Sequence, residues 1–323
     1  MARIKKEDRN FVFDNPITLN IKYYIKRIVY FFYAVLCHIA LRLRRKKKSE
    51  GKKYQVSICA IFKNEAKYLK EWIEFHKIIG VEHFYLYNNN SDDNYLDVLK
   101  TYVEQGIVDL IEWPFAQGQI SAYRHCVKNY EQETRWIGFI DIDEFVIPKA
   151  YNSIVDFLEQ FEFKPAVLLY WRMFGTSGKV TRDERSLVTE DFILCWGKNT
   201  NIGKCFFNTS FRLLEDERKN GILHHFAWAK LGRLIIPPVN FENHFVFPTV
   251  NAVSTSDFPI VINHYFTKSF QEYAEKKRKG DVYYTINPHD EKYFYYHEMP
   301  CRMADYSAYR FLIRLKLKMD ITQ

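Results

Sequence analysis

Residues 136–148 read WIGFIDIDEFVIP: an uncharged, mostly apolar run that breaks into Asp141, Asp143 and Glu144 and then turns apolar again. A segment this apolar suits a strand covered on both faces, as in the middle of a parallel sheet. Acids that follow such a strand emerge at its carboxyl end, where open α/β sheets bind ligands. Charged side chains are rarely buried unless they are paired or hold a cation. An Asp-x-Asp pair offers the oxygen ligands that a hard divalent ion takes while it bridges to phosphates. An isolated pair of this kind also fits a solvated acidic turn, so its surroundings decide.

Those surroundings alternate between strand-like and helix-like patterns. Residues 56–62 (VSICAIF) read as a buried strand, and Asn64 is placed to cap the helix after it. Leu69, Trp72, Ile73, His76 and Ile79 share one face of that helix, which should stop at Gly80. Residues 83–87 form a second strand, followed by the polar loop Asn88-Asn89-Asn90-Ser91-Asp92-Asp93. Leu96, Leu99 and Val103 predict the next helical face, which ends at Gly106. Residues 107–111 form a third strand, 120–128 a third helix and 136–140 the fourth strand. The alternation indicates a parallel, Rossmann-like sheet covered by helices. Three polar clusters then meet at the carboxyl ends: Lys63-Asn64-Glu65, residues 88–93, and Asp141 to Asp143. Beyond Pro148 the pattern loosens into a short helix (154–161), a strand (166–173), short β-like stretches within 187–247 and a helix near 269–279.

The 323 residues suffice for one large domain or two modest ones, and 47% apolar and 17% aromatic content supplies a core. The net charge of +8 is unevenly placed. Residues 1–53 hold 15 Lys/Arg against 4 Asp/Glu, a balance of +11, so the remainder sums to −3. The basic character belongs to a tail, which argues against nucleic acid as a partner. The six cysteines are scattered without a Cys-x-x-Cys pair, and Cys59 and Cys126, inside apolar patterns, read as buried free thiols, which favours a reducing compartment over a zinc site or a disulfide framework.

Residues 28–41 (IVYFFYAVLCHIAL) carry no charge and lie between Lys26-Arg27 and the cluster Arg42, Arg44, Arg45, Lys46, Lys47 and Lys48. Fourteen helical residues cover about 21 Å, short of the ~30 Å hydrocarbon core. Three readings stay open. The segment lies in the membrane interface with its cations on anionic lipid, it forms a short signal anchor, or it packs on the globular body.

No Gly-x-Gly-x-x-Gly or Walker loop follows the first strand, and no Gly-x-Ser-x-Gly is present. What remains is an α/β half in which a metal on Asp-x-Asp neutralises a diphosphate. The metal then stabilises the charge that develops as the diphosphate leaves carbon, the chemistry of sugar transfer from a nucleotide-diphosphate sugar. A metal-dependent nucleotidyltransferase is the alternative, although residues 63–68 (KNEAKY) lack the glycines its triphosphate loop requires. A non-catalytic membrane adaptor on the same scaffold is a third reading.

Five blocks in consistent order resemble glycosyltransferase family 92 and its bacterial family-2-like relatives. They are residues 59–94 (CAIFKNEAKYLKEWIEFHKIIGVEHFYLYNNNSDDN), Ala122 to Cys126, WIGFIDIDEFVIP, WRMFGTSG and INHYFTKS. The resemblance implies a GT-A type α/β fold, a UDP-sugar donor with galactose favoured, inversion at the anomeric carbon and a divalent metal, Mn2+ before Mg2+. It implies Asp141, Asp143 and His264 as metal residues, with Asp143 the direct ligand and Asp141 nearer the donor ribose or sugar. Lys63, Asn64, Glu65, Asn88, Asn90, Asp92 and Arg124 fall in its donor-binding positions. Asn88 stands where the family often has Asp, and Lys179 where relatives often carry His. Glu190 matches the acidic position of the catalytic base, with Asp191, Asp183 and Glu184 as neighbouring rivals.

The expected organisation is a helical, basic, membrane-associated segment at 1–53 and a GT-A domain at 54–280. That domain divides into a nucleotide-binding half at 54–148 and an acceptor half at 149–280, and a helical extension follows at 281–323. The expected setting is the cytoplasmic face of a bacterial membrane, with an anionic lipid surface bound through residues 22–53. The acceptor is then a glycan or glycolipid of surface polysaccharide or lipopolysaccharide synthesis. The aromatic and His-rich stretches 223–230 and 243–245 fit either sugar stacking or core.

Overall fold

A computed structural model describes residues 21–44, 51–183, 185–215, 223–248, 253, 255–279 and 290–321. Glu184 and the basic residues 45–48 lie outside the described residues. The chain starts with α1 (Ile21–Leu43) and enters the body at β1 (Tyr54–Phe62), α2 (Ala66–Ile78), β2 (His83–Asn88), α3 (Tyr95–Glu104), β3 (Val108–Glu112), α4 (Gln119–Tyr130) and β4 (Thr134–Phe139). β1 to β4 pair in parallel in the order β3-β2-β1-β4, the βαβ half that the alternating pattern predicts.

The second half adds β5 (Glu144–Pro148), α5 (Ile154–Leu158), β6 (Ala166–Met173), α6 (Val188–Asp191), β7 (Leu194–Trp196), β8 (Gly203–Asn208), β9 (Arg212–Leu213), β10 (Ala229–Leu231), β11 (Leu234–Ile236) and β12 (Ile260–His264). After it come α7 (Phe270–Lys279), α8 (Glu291–Glu298), β13 (Cys301–Ala304) and α9 (Tyr309–Lys318). The large sheet continues past β4 through antiparallel β8 to β6, β12 and edge strand β5. This is the α/β, GT-A-like arrangement expected, with the acidic residues in the short link between central β4 and edge β5. Gly203 lets β8 approach β6, because a Cβ there would stand 1.8 Å from the Leu169 carbonyl oxygen.

Most predicted element faces hold. Leu69, Trp72, Ile73, His76 and Ile79 are all fully buried, and Gly80 takes the left-handed φ of +99° that ends a helix. Two details differ. The N-terminus of α2 is capped from another loop, since the Ala66 amide donates to Asp93 at 2.8 Å while Asn64 turns to the Asp92 amide. On α3 the buried face is Tyr95, Leu99 and Tyr102, and Leu96 and Val103 are exposed. Tyrosine wins this face because its ring packs inward while its hydroxyl is satisfied, by Glu112 for Tyr95 and by Glu74 for Tyr102.

α1 rests on the body along one side. Tyr30 stacks on Phe247 at 4.2 Å, the Tyr33 hydroxyl donates to the Ile235 carbonyl at 2.6 Å, and Cys37 is buried. Among the described residues no helix is long and apolar enough to cross a membrane. At the other end α9 covers α2, with Phe311 against Phe75 at 5.5 Å, and β13 pairs with β7. All six cysteines are free and buried, as their spacing predicts.

Candidate active site

The link between β4 and β5 folds into a tight turn in which the Glu144 amide donates to the Asp141 carbonyl at 3.1 Å. Trp72 on α2 clamps this turn, its indole N–H shared between the carbonyls of Asp141 (3.0 Å) and Glu144 (2.9 Å). Register then brings β12 alongside: Glu144 pairs with His264, and the Tyr265 amide donates to the Asp143 carbonyl.

Asp141 and Asp143 face different surroundings. One Asp141 oxygen accepts from Gln119 and from the Tyr123 hydroxyl, each at 3.0 Å, and the other accepts from Lys204 at 2.7 Å. Lys204 is 2% exposed and lies 3.9 Å from the fully buried Glu144. Burial alone would lower its ammonium, but the carboxylates of Asp141 and Glu144 more than offset this and raise it. Burial, reinforced by Asp141 and Asp143 and opposed by Lys204, pushes the Glu144 carboxyl well above its usual range.

Asp143 instead has Lys276 of α7 on one oxygen at 2.6 Å and the His264 Nε2 facing the other at 3.5 Å. Burial would raise its carboxyl, but Lys276, His264 and Lys268 together hold it well below the usual range. Burial lowers the His264 imidazole against the pull of Asp143. Both groups are thereby kept in the deprotonated forms that bind metal. Two ligands each ~2.1 Å from one ion, at right angles, stand about 3 Å apart. The spacing of the pair therefore fits a divalent cation, while the buried His264 Nδ1 is left without the hydrogen-bond partner that usually orients a metal-bound imidazole. Asp141 does not join them: no cluster of three or more His, Cys, Asp or Glu is gathered for a metal among the described residues. Its oxygens are taken by the neighbouring donors.

The two predicted nucleotide loops interlock. The Asn64 amide donates to the Ser91 hydroxyl, and the Asp92 amide donates to the Asn64 side chain, both at 2.9 Å. Asn64 and Asn90 hold left-handed φ of 55° and 56°, a conformation Asn tolerates. Asn88 is buried with its amide given to Glu112 (2.7 Å) and Tyr95 (2.9 Å), so it buttresses the loop from inside. Lys63 and Glu65 are half-buried beside Asn64, and Arg124 is half-buried on α4, next to Tyr123. A cavity of about 410 Å³ opens between Asn64, Lys67 and Tyr68 on one side and Glu272, Glu275 and Arg278 of α7 on the other.

Glu71 on α2 fixes α6 by accepting from the amides of Val188 and Thr189 and from the Thr189 hydroxyl. The two acids of α6 then diverge. Glu190 points to Lys316 of α9 at 2.6 Å, whereas Asp191 meets Lys179 at 2.8 Å and the Ser186 hydroxyl. The backbone carbonyls of Lys179 and Val180 receive the first amides of α7, so the loop whose Lys179 pairs with Asp191 also anchors the start of that helix. Asp183 is bound to its neighbour Arg185 at the surface. In the stretch 223–230 Leu223, Phe226, Ala227 and Ala229 belong to the core while His224, His225 and Trp228 are half-buried, and Phe245 packs against His38 of α1 with His244 exposed beside it.

Lys204 and Lys276 were missing from the sequence-derived site. A lysine in the apolar strand 203–208 (GKCFFN) is itself a signal that a buried partner exists. Lys276, inside the run 276–279 (KKRK), carries no such mark.

Residues 52–279 match the sequence model of the family described as Glycosyltransferase family 92. A family 92 protein of Oryza sativa subsp. japonica is 31% identical over 150 residues, 45% of this chain and 26% of that protein. One from Arabidopsis thaliana is 34% identical over 112 residues, 34% of this chain and 20% of that protein. The Beta-1,4-galactosyltransferase galt-1 of Caenorhabditis elegans is 32% identical over 109 residues, 29% and 26% of the two chains. The solved structure of S. aureus TarS 1–349 matches with a TM-score of 0.34 at 14% identity, over 48% of this chain and 47% of that one. The chain thus spans about a quarter or less of the length of the curated relatives it matches. Because the family match covers most of its residues, from the first strand to α7, the chain belongs to glycosyltransferase family 92.

Proposed function

We propose that the chain is an inverting, metal-dependent glycosyltransferase that moves a hexose, galactose favoured, from a UDP-sugar to a glycan or glycolipid acceptor. The observation that carries this reading is the Asp143–His264 pair at the end of the sheet, beside two interlocked polar loops. Family membership supports transfer of a sugar, and the relative described as a galactosyltransferase supports galactose. Asp143 and His264 would hold a divalent ion, Mn2+ before Mg2+, whose charge offsets that of the diphosphate leaving the anomeric carbon. Asp141, held by Gln119, Tyr123 and Lys204, presents a fixed carboxylate towards the donor ribose or sugar. The loops of residues 63–65 and 88–92, with Arg124, border the nucleotide. We assign the acceptor proton to Asp191 in preference to Glu190, because Asp191 pairs with Lys179, whose carbonyl anchors the start of α7, while Glu190 is turned to Lys316 of α9.

The chain is also read as a peripheral protein of the cytoplasmic face. α1 leaves Ile28, Phe31, Phe32, Val35, Leu36 and Ile39 exposed opposite its seated side, with Lys26, Arg27 and Arg42 near its ends. That combination suits a helix lying flat on anionic lipid.

A screen of UDP- and GDP-sugars, read as nucleotide release with and without Mn2+, tests the activity. UDP-galactose should give metal-dependent release of UDP, and Asp143→Ala should lower turnover about 10²–10³-fold. Release of pyrophosphate from a nucleoside triphosphate, or full turnover by Asp143→Ala, would replace this reading.

A further inference from the structure

Asp143 is shared between two partners on opposite oxygens. His264 faces Oδ1, and the ammonium of Lys276 sits on Oδ2 at 2.6 Å. Lys276 differs from the other lysine of the turn. Its side chain is 22% exposed and runs over the Phe266 ring at 4.6 Å, whereas Lys204 is 2% exposed and enclosed by the sheet. It therefore has somewhere to go. One turn before it on the same helix, Glu272 lines the cavity of about 410 Å³ whose far wall is the turn after β1. Its lining sets the cations Lys67 and Arg278 among the carboxylates Glu272 and Glu275, and Lys276 follows Glu275 on the same helix.

We propose that Lys276 is a resident cation of the acidic turn, which gives up Asp143 to a divalent ion when the donor's diphosphate enters and then pairs with the diphosphate. The proposal rests on the reading of Asp143 and His264 as the metal end of the site. Its physical basis is charge accounting. An ammonium and a divalent ion on one carboxylate repel each other strongly at contact distance. Without an anion to receive it, Lys276 opposes metal entry. A diphosphate supplies several oxygens that accept charge-assisted hydrogen bonds, so the lysine can change partner without losing an ion pair. Metal and donor then bind with positive coupling, and the coupling is reciprocal.

The test is calorimetric titration of Mn2+ into the full chain with and without UDP, for the unaltered protein, Lys276→Met and Lys276→Arg. Methionine keeps the stem over Phe266 and removes only the charge. Without UDP, Lys276→Met should bind Mn2+ about tenfold more tightly than the unaltered protein. It should also lose most of the gain in Mn2+ affinity that UDP confers, while Lys276→Arg keeps that gain. Equal Mn2+ affinity in Lys276→Met and the unaltered protein, or an undiminished UDP effect, overturns the role of Lys276. If the unaltered protein takes up neither Mn2+ nor UDP, the metal-site reading itself fails, a result distinct from the first. Circular dichroism confirms that each variant is folded before titration.

Discussion

Asp141 is enclosed on both oxygens, by Gln119 and Tyr123 of α4 in the parallel half and by Lys204 of antiparallel β8. Asp143, two residues later, faces the mixed half and meets only a histidine at 3.5 Å and a partly exposed lysine from a helix. The same turn thus carries one carboxylate built into the scaffold and one held by partners that can be exchanged. The donors around Asp141 are themselves buried, so they fix its geometry. The mixed half ends in short strands and helices that approach the turn from outside, so it can respond to ligands.

The sharpest break of this comparison lies on α6, in the mixed half. Asp191→Asn should lower transfer about 10²–10⁴-fold while Mn2+ and UDP still bind, as expected for loss of a general base. Glu190→Gln should change turnover little, since a half-exposed ion pair contributes about 0–1 kcal/mol. Steady-state rates with calorimetry on both variants decide this, and the opposite ranking would return the base to Glu190.

The contrast between the lysines predicts a difference in stability. Lys204→Met strands Asp141 and the buried Glu144 without their cation and should cost about 3 kcal/mol in urea unfolding. Lys276→Met should cost far less, because its position reaches solvent. Equal losses would mean that Asp143 is as firmly built in as Asp141.

A pH dependence of stability concerns His76, which braces α2 against β5. Its Nδ1–H donates to the Trp72 carbonyl at 2.8 Å, and its Nε2 accepts from the Val146 amide at 3.3 Å. Burial pushes this imidazole down from 6.5 to about 3, only partly countered by the Trp72 carbonyl. The unfolded chain therefore takes up a proton near pH 6.5 that the native chain refuses. Stability from this group is full above pH 6.5 and falls as pH drops towards 3, by up to about 1.4 kcal/mol per pH unit. His76→Gln should remove one proton's share of that slope in unfolding midpoints between pH 7 and 4. An unchanged slope would show that His76 is not held neutral.

The local patterns were legible because they follow the chain. Continuous apolar runs located β1 to β4, period-3.6 apolarity located α2 to α4, and an Asp-x-Asp after a buried strand marked the turn. Where two face assignments differed, on α3 and at the cap of α2, the deciding partners were Glu74, Glu112 and Asp93, which lie elsewhere in sequence. The same holds for the site. Asp143 and His264 are 121 positions apart and meet only because β12 lies beside β5.

From its residues alone the chain determined a parallel α/β half, an acidic turn at its carboxyl edge, buried free thiols and a basic, apolar N-terminal helix. Each of these depends on neighbours within a few turns of chain. Tertiary structure decided which aspartate is enclosed by buried donors and which meets a partly exposed lysine, that Glu190 pairs with Lys316 and Asp191 with Lys179, and that one side of α1 is seated while the other is exposed. Those outcomes depend on which distant side chains share a low-dielectric space, and hydrophobic packing of the whole sheet sets that proximity.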